Sequence, residues 1–234
     1  MFYRAVVLCA WLFVCDARAQ VSGSVALVSD YRLRGVSLSD RGPAVQFGLA
    51  YDRSNGWYAG AFASSLKFGR AQQLRAQLLS YAGYAWRLRD GLDAEAGVSY
   101  SAFFGGTSGY DYPELYVGLS AERLSGRLYY APRYFREETP VVYAELNFAQ
   151  PLSEHVRLLA HLGRLQRGRS EETDYGLERH RLDARLGLGT TLHDFDLQLA
   201  WVHSEGERGH YPSYPVCRDC VHRGTWVLSV SRSW

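Results

Sequence analysis

Charged and amide side chains recur at every second position through much of this chain, each set between apolar neighbours. Asp93 and Glu95 alternate with Leu92, Ala94 and Ala96, and Glu114 precedes Leu115. Glu145 sits between Ala144 and Leu146, Asp183 and Arg185 alternate with Leu182, Ala184 and Leu186, and Asp196 and Gln198 alternate with Phe195, Leu197 and Leu199. Arg127, Arg157 and His161 fall on the matching parity of their own segments. Residues two apart point to the same side of a strand, so these groups share one polar face. On a lipid-facing wall each charge would cost about 2–4 kcal/mol at the midplane. The polar face therefore turns inward, toward water or an opposite charge. Two kinds of chemistry suit it: a wet lumen that passes polar solutes, or an interior sealed by ion pairs.

Other chemistries find less support. No G-x-S-x-G is present, and the run Gly106-Thr107-Ser108-Gly109 reads as a turn. A barrel hydrolase needs a serine and a histidine within hydrogen-bond reach on the outer surface. His161 is inward by parity, and His203-Ser204 falls where a strand enters a loop. Adjacent Glu171 and Glu172 read as solvated loop charges. We expect no enzyme and no cofactor. Cys217 and Cys220 (CRDC), with His203, His210 and His222 nearby, leave three options: a zinc site, a redox C-x-x-C, or a structural disulfide. An oxidising compartment favours the disulfide, so we expect no metal. The formal net charge of +2 gives no electrostatic case for a nucleic-acid partner. Of the 26 basic residues only Lys67 is a lysine, and arginine suits bidentate carboxylate contacts.

The elements that must position these groups are short strands. From Ser29 to Asp52 a polar, arginine-rich loop with Gly35 and Gly42 leads through Pro43 into a strand. There Val45, Phe47, Leu49 and Tyr51 oppose Ala44, Gln46, Gly48, Ala50 and Asp52. Similar alternation marks 92–102, 114–120, 142–148, 156–163, 182–189, 195–201 and 225–234. Segments 57–65, 74–87 and 126–134 read as strands of uncertain facing. With a strand before Ser29 the count is roughly twelve, an even number as single-chain outer-membrane barrels require. Short connections at Arg53–Gly56, Leu88–Gly91, Ala121–Ser125, Gln150–His155 and Leu192–Asp194 alternate with longer ones. The connection near Phe68–Ala71 is the short exception. That segregation matches periplasmic turns and extracellular loops, and a soluble sandwich has no reason to adopt it.

Aromatic residues gather at strand ends, as interface girdles do. Tyr51, Trp57 or Tyr58, Trp86, Phe148, Phe195 and Trp234 belong to the periplasmic rim by this reading, and Tyr100, Phe103, Tyr134, Trp201 and Trp226 to the outer rim. Inward glycines (Gly48, Gly97, Gly118, Gly163, Gly187 and Gly189) are expected to give room for Tyr116, Tyr129 and Tyr143 to lie flat. Residues 1–19 read as a cleaved signal peptide, with Arg4, the apolar run Ala5–Val14 and the small-x-small site Ala17-Arg18-Ala19. Residues 20–234 are then the barrel, exported and destined for the bacterial outer membrane.

The run Ser29-Asp30-Tyr31, Arg34-Gly35, Ser37, Ser39, Pro43-Ala44 and Gln46 resembles the signature of the TorF family of outer-membrane porins. Gly56-Trp57-Tyr58-Ala59-Gly60 and Glu114-Leu115-Tyr116 with Gly118 resemble later strands of that family, while the rest matches in pattern. The resemblance implies a barrel assigned to transport across the outer membrane. A terminal Trp234 stands where such barrels more often carry phenylalanine, keeping an aromatic assembly signal.

These readings converge on a transmembrane antiparallel up-and-down β-barrel of about twelve strands. Its expected function is passive transport of small polar solutes; the alternative is a sealed structural or adhesive barrel whose loops bind partners. Its expected partners are outer-membrane lipid and lipopolysaccharide, the barrel-assembly machinery through the last strand, and small polar solutes. The pore-lining candidates are Asp30, Arg34, Asp93, Glu95, Glu114, Arg127, Glu145, Arg157, Asp183, Arg185, Asp196 and Gln198. Within the first loop, Asp30 and Arg34 are expected to pair where the chain bends at Gly35.

Overall fold

The alternating segments become strands in the computed structural model, which describes residues 19–68, 74–106, 109–135, 139–168, 180–206 and 224–234. The wall begins with β1 (Ala19–Val28). A small hairpin, β2 (Arg32–Leu33) and β3 (Val36–Ser37), follows before β4 (Ala44–Arg53), β5 (Trp57–Phe68) and β6 (Leu74–Arg89). Next come β7 (Leu92–Phe104), β8 (Tyr112–Ala121), β9 (Leu124–Ala131) and β10 (Val141–Pro151). The chain ends with β11 (Val156–Arg167), β12 (His180–Leu192), β13 (Phe195–Gly206) and β14 (Thr225–Ser233).

All strands except β2 and β3 form one closed antiparallel barrel of twelve, each paired with its neighbour in sequence. Closure joins β1 to β14 from Ser24↔Ser233 to Val28↔Ser229. Gly23 and Trp234 extend that seam with reciprocal backbone hydrogen bonds of 3.0 Å. Among the described residues no strand of the barrel is left with an unpaired edge, as lipid demands.

Leucines and valines that a soluble protein would bury are exposed here along one parity. Leu162 and Leu186 retain 62% and 57% of their accessible surface, and Phe47, Leu49, Leu115 and Val117 behave alike. So continuous an apolar outer surface belongs in a bilayer. At the turn end, Trp57 stacks edge-on against Tyr84, which lies against Trp86; at the loop end Trp201 meets Trp226 at 5.4 Å. Tyr51, Trp57, Trp86, Phe148, Phe195 and Trp234 are exposed as a turn-end girdle requires, and Tyr100, Trp201 and Trp226 as a loop-end one.

Two expected girdle residues face the other way. Tyr134 is buried, and Phe103 packs against buried residues inside the loop-end mouth. Tyr58, the alternative to Trp57, also points inward. The reason is a small apolar core at that end, built from Val36, Leu38, Tyr110, Tyr112, Phe135, Val141 and Leu165 among others. Loops that fold inward need apolar side chains to hold them, and they draw aromatics from the rim. Val36 and Leu38, essentially unexposed, each contribute about 1.5–3 kcal/mol to seating the hairpin.

Candidate functional site

The hairpin between β1 and β4 folds into the barrel. Its two central residues, Arg34 and Gly35, both have positive φ (50° and 80°), as a two-residue type I′ turn requires. Glycine takes that conformation freely and arginine does not. Gly35 is also needed for space, since a Cβ there would come within 2.7 Å of Asp183 on β12 and Ser204 on β13. The tip therefore packs against the inner wall at the mouth.

A network centred on Asp30 shapes the base of the hairpin. Arg32 donates to Asp30 at 2.7 Å, Ser37 donates at 2.5 Å, and the Tyr31 amide donates to Ser39 Oγ at 2.8 Å. The expected Asp30–Arg34 pair does not form. Arg34 instead donates through Nη2 to both carboxylate oxygens of Glu114 on β8, at 2.7 and 2.9 Å. Positive φ at Arg34 swings its side chain away from Asp30 and across the lumen. The guanidinium lies over three rings, 4.5 Å from the Tyr143 centroid and 5.3 Å from those of Tyr129 and Tyr134. Burial pulls its pKa down, but Glu114 and the neighbouring tyrosines outweigh that and hold it well above the usual arginine value. Ser204 donates to the Gly35 carbonyl at 3.1 Å, so β8 and β13 both grip the tip.

Below the hairpin lies a cavity of about 1130 Å³ lined by Asp30, Arg34, Glu95, Glu114, Arg127, Glu145, Asp183, Arg185 and Gln198. A second cavity of about 660 Å³ at the turn end is lined in part by Asp93, which pairs with Arg87 at 3.0 Å. Ala85, Glu95, Arg127 and Glu145 line both spaces and form the waist between them. Arg157 and Asp196 pair with each other near the turns and line neither cavity. At the waist Arg127 donates to Glu95 at 2.5 and 3.2 Å, and Tyr58 donates to Glu95 at 2.6 Å. Farther round the wall, His161 joins Asn147 (2.7 Å) and Asp183 (3.0 Å).

The two halves of the wall differ. From β5 to β10 it carries Tyr58, Tyr81, Tyr116, Tyr129 and Tyr143, a belt of rings with Tyr58 and Tyr116 hydroxyls 2.8 Å apart. From β13 through β14 and β1 to β4 it carries no tyrosine among the cavity-lining residues and many small ones, Ala200, Ser229, Ser231, Ser24, Ala26 and Gly48 among them. Tyr116 and Tyr143 lie over Gly97 and Gly163, where a Cβ would strike the ring, as expected. The other four inward glycines face Ser24, Glu95 with Arg127, Ala200 and Arg157 instead, and no cross-strand glycine underlies Tyr129. Tyr58 and Tyr81, lying over Gly83 and Gly60, were not legible as inward in the sequence.

Among the described residues no group of three His, Cys, Asp or Glu is placed to hold a metal. Cys217, Cys220, His210 and His222 lie outside the described residues.

A family model described as "Bacterial protein of unknown function (Gcw_chp)" matches residues 15–234. No curated protein matches significantly. The fold resembles a solved structure described as KdgM porin (TM-score 0.55, 10% identity, covering 91% of this chain and 99% of that one). It also resembles one described as NanC porin (TM-score 0.58, 11% identity, 91% and 99%). A second KdgM porin structure, described as a complex with disordered oligogalacturonate, gives a TM-score of 0.52 at 10% identity over 92% and 99%. The shared barrel and the apolar outer face place this chain in the bacterial outer membrane.

Proposed function

This chain belongs to the Gcw_chp family of bacterial proteins, and we propose that it is a porin-like channel for passive movement of small polar solutes, narrowed at its mouth by the β2–β3 hairpin. The observation that carries the reading is the lumen of about 1130 Å³, lined by charged and amide groups, tyrosines, and the serines and alanines of the β13–β4 side. A barrel meant only as a plugged anchor has no use for so large a void, and filling it with side chains would be the simpler design. The resemblance of the Ser29–Gln46 signature to TorF porins agrees with this reading. The lumen-lining carboxylates and guanidiniums, mostly paired with one another, leave a corridor in which no single charge sign dominates.

The hairpin supports a second reading, a sealed barrel acting through its loops. Its seat on Val36 and Leu38 and the Arg34–Glu114 ion pair both favour closure. We therefore take the mouth to be gated. Assembly proceeds through the C-terminal strand, and lipid and lipopolysaccharide surround the wall. Planar-bilayer recording on the purified mature chain tests the function. Discrete conductance steps support a channel; a silent bilayer favours the sealed form.

A further inference from the structure

The surroundings of Arg34 have the makings of a ligand site. Three tyrosine rings, Tyr129, Tyr134 and Tyr143, face one planar cation at 4.5 to 5.3 Å, and Glu114 presents both oxygens to its edge. Several aromatic faces around a planar cation, with a carboxylate at its edge, are what a guanidinium recognises and what an ammonium fits less well. Here the chain's own side chain occupies the site. It does so imperfectly: Arg34 Nη1 is buried without a hydrogen-bond partner among the described residues, and the residue holds a left-handed backbone conformation. Both features weaken the tether's hold without altering the site. The site is also reachable, because Arg34, Glu114, Tyr129 and Tyr143 line the roof of the large cavity.

We propose that this aromatic and acidic cage is a recognition site for guanidinium-bearing solutes, occupied in the resting state by Arg34 as a tethered mimic, and that such solutes compete with Arg34 and release the hairpin tip. The inference rests on the channel reading only for its second half, the opening of the mouth. The base of the hairpin need not move. The Asp30 network and the buried Val36 and Leu38 hold it, while the tip contacts break. Because a tethered group acts at millimolar or higher effective concentration, a free solute opens the wild-type mouth only in or above the millimolar range.

The test uses methylguanidinium, with methylammonium at equal concentration and ionic strength as the control. In Arg34→Ala the cage is empty. At ten times its dissociation constant, methylguanidinium should raise the melting temperature of this variant by about 3–5 °C, and methylammonium by much less. Arg34→Gln provides the same comparison should the alanine variant not fold. In bilayers, methylguanidinium added to both chambers should increase wild-type conductance, whereas Arg34→Ala should conduct fully without it. Equal melting shifts from the two cations would overturn the site. A selective melting shift with unchanged wild-type conductance would overturn the release of the tip. Silence of both proteins in bilayers would remove the channel reading and the opening step together, while the melting comparison still decides the cage.

Discussion

Replacing Glu114 with glutamine should loosen the hairpin without unfolding the barrel. Both partners of the Arg34–Glu114 pair retain only 6% of their side-chain surface, so the guanidinium cannot turn to water when the carboxylate is neutralised. Removing one partner of a buried pair costs about 3–5 kcal/mol. A glutamine oxygen can still accept one hydrogen bond, returning about 1 kcal/mol. The net cost is then about 2–4 kcal/mol, borne by local opening of the hairpin because the wall strands are held by their own ladders. At about 1.4 kcal/mol per decade, amide exchange in the hairpin should accelerate about 30- to 700-fold. The reporter is the Leu38 amide, which donates to the Tyr31 carbonyl at 2.7 Å. Hydrogen exchange on Glu114→Gln in detergent, read by mass spectrometry over 29–43, makes the measurement. Unchanged exchange there would mean that Glu114 does not hold the tip. Acceleration spread equally over β1 and β4 would mean that the pair supports the barrel and not the hairpin.

Three further outcomes are expected. Deleting Trp226–Trp234 removes the partner of β1 and should abolish the fast-migrating unboiled band on a gel; a truncated chain that still folds and inserts would refute closure through β14. Ser231→Trp places a large ring on the small-residue wall and should cut single-channel conductance severalfold with little change in melting, whereas the same change at the outward Val230 should leave conductance alone. Cys217 and Cys220 should map as a disulfide in non-reducing peptide analysis of the exported protein, and two freely alkylated thiols would contradict this.

The wall was legible in the sequence because its physics is local. Period-two alternation at 44–52, 92–102 and 182–189 set which side chains face lipid, and the order of short and long connections gave the topology. Facing was obscure where the contrast is weak. In β5 the outward residues beyond Trp57 include Ala59, Ala61 and Ala63, and in β6 Leu79 lines the cavity while its neighbour Ser80 does not. Tyr58 and Tyr81 were missed for that reason. The mouth was illegible for a different one. Arg34 and Glu114 are 80 residues apart, and nothing in either segment announces the other. Proximity in sequence pointed to Asp30, but a left-handed backbone at Arg34 decided otherwise. Infolding of the first loop likewise drew Tyr134 and Phe103 into an apolar core that no single segment encodes.

The most direct test of the central claim is single-channel recording of the purified protein beside Glu114→Gln under identical salt. A gated channel through the lumen predicts discrete openings in the wild type and a higher open fraction in the variant. A bilayer that stays silent with both proteins, each shown to be folded by its heat-modifiable band, would contradict it.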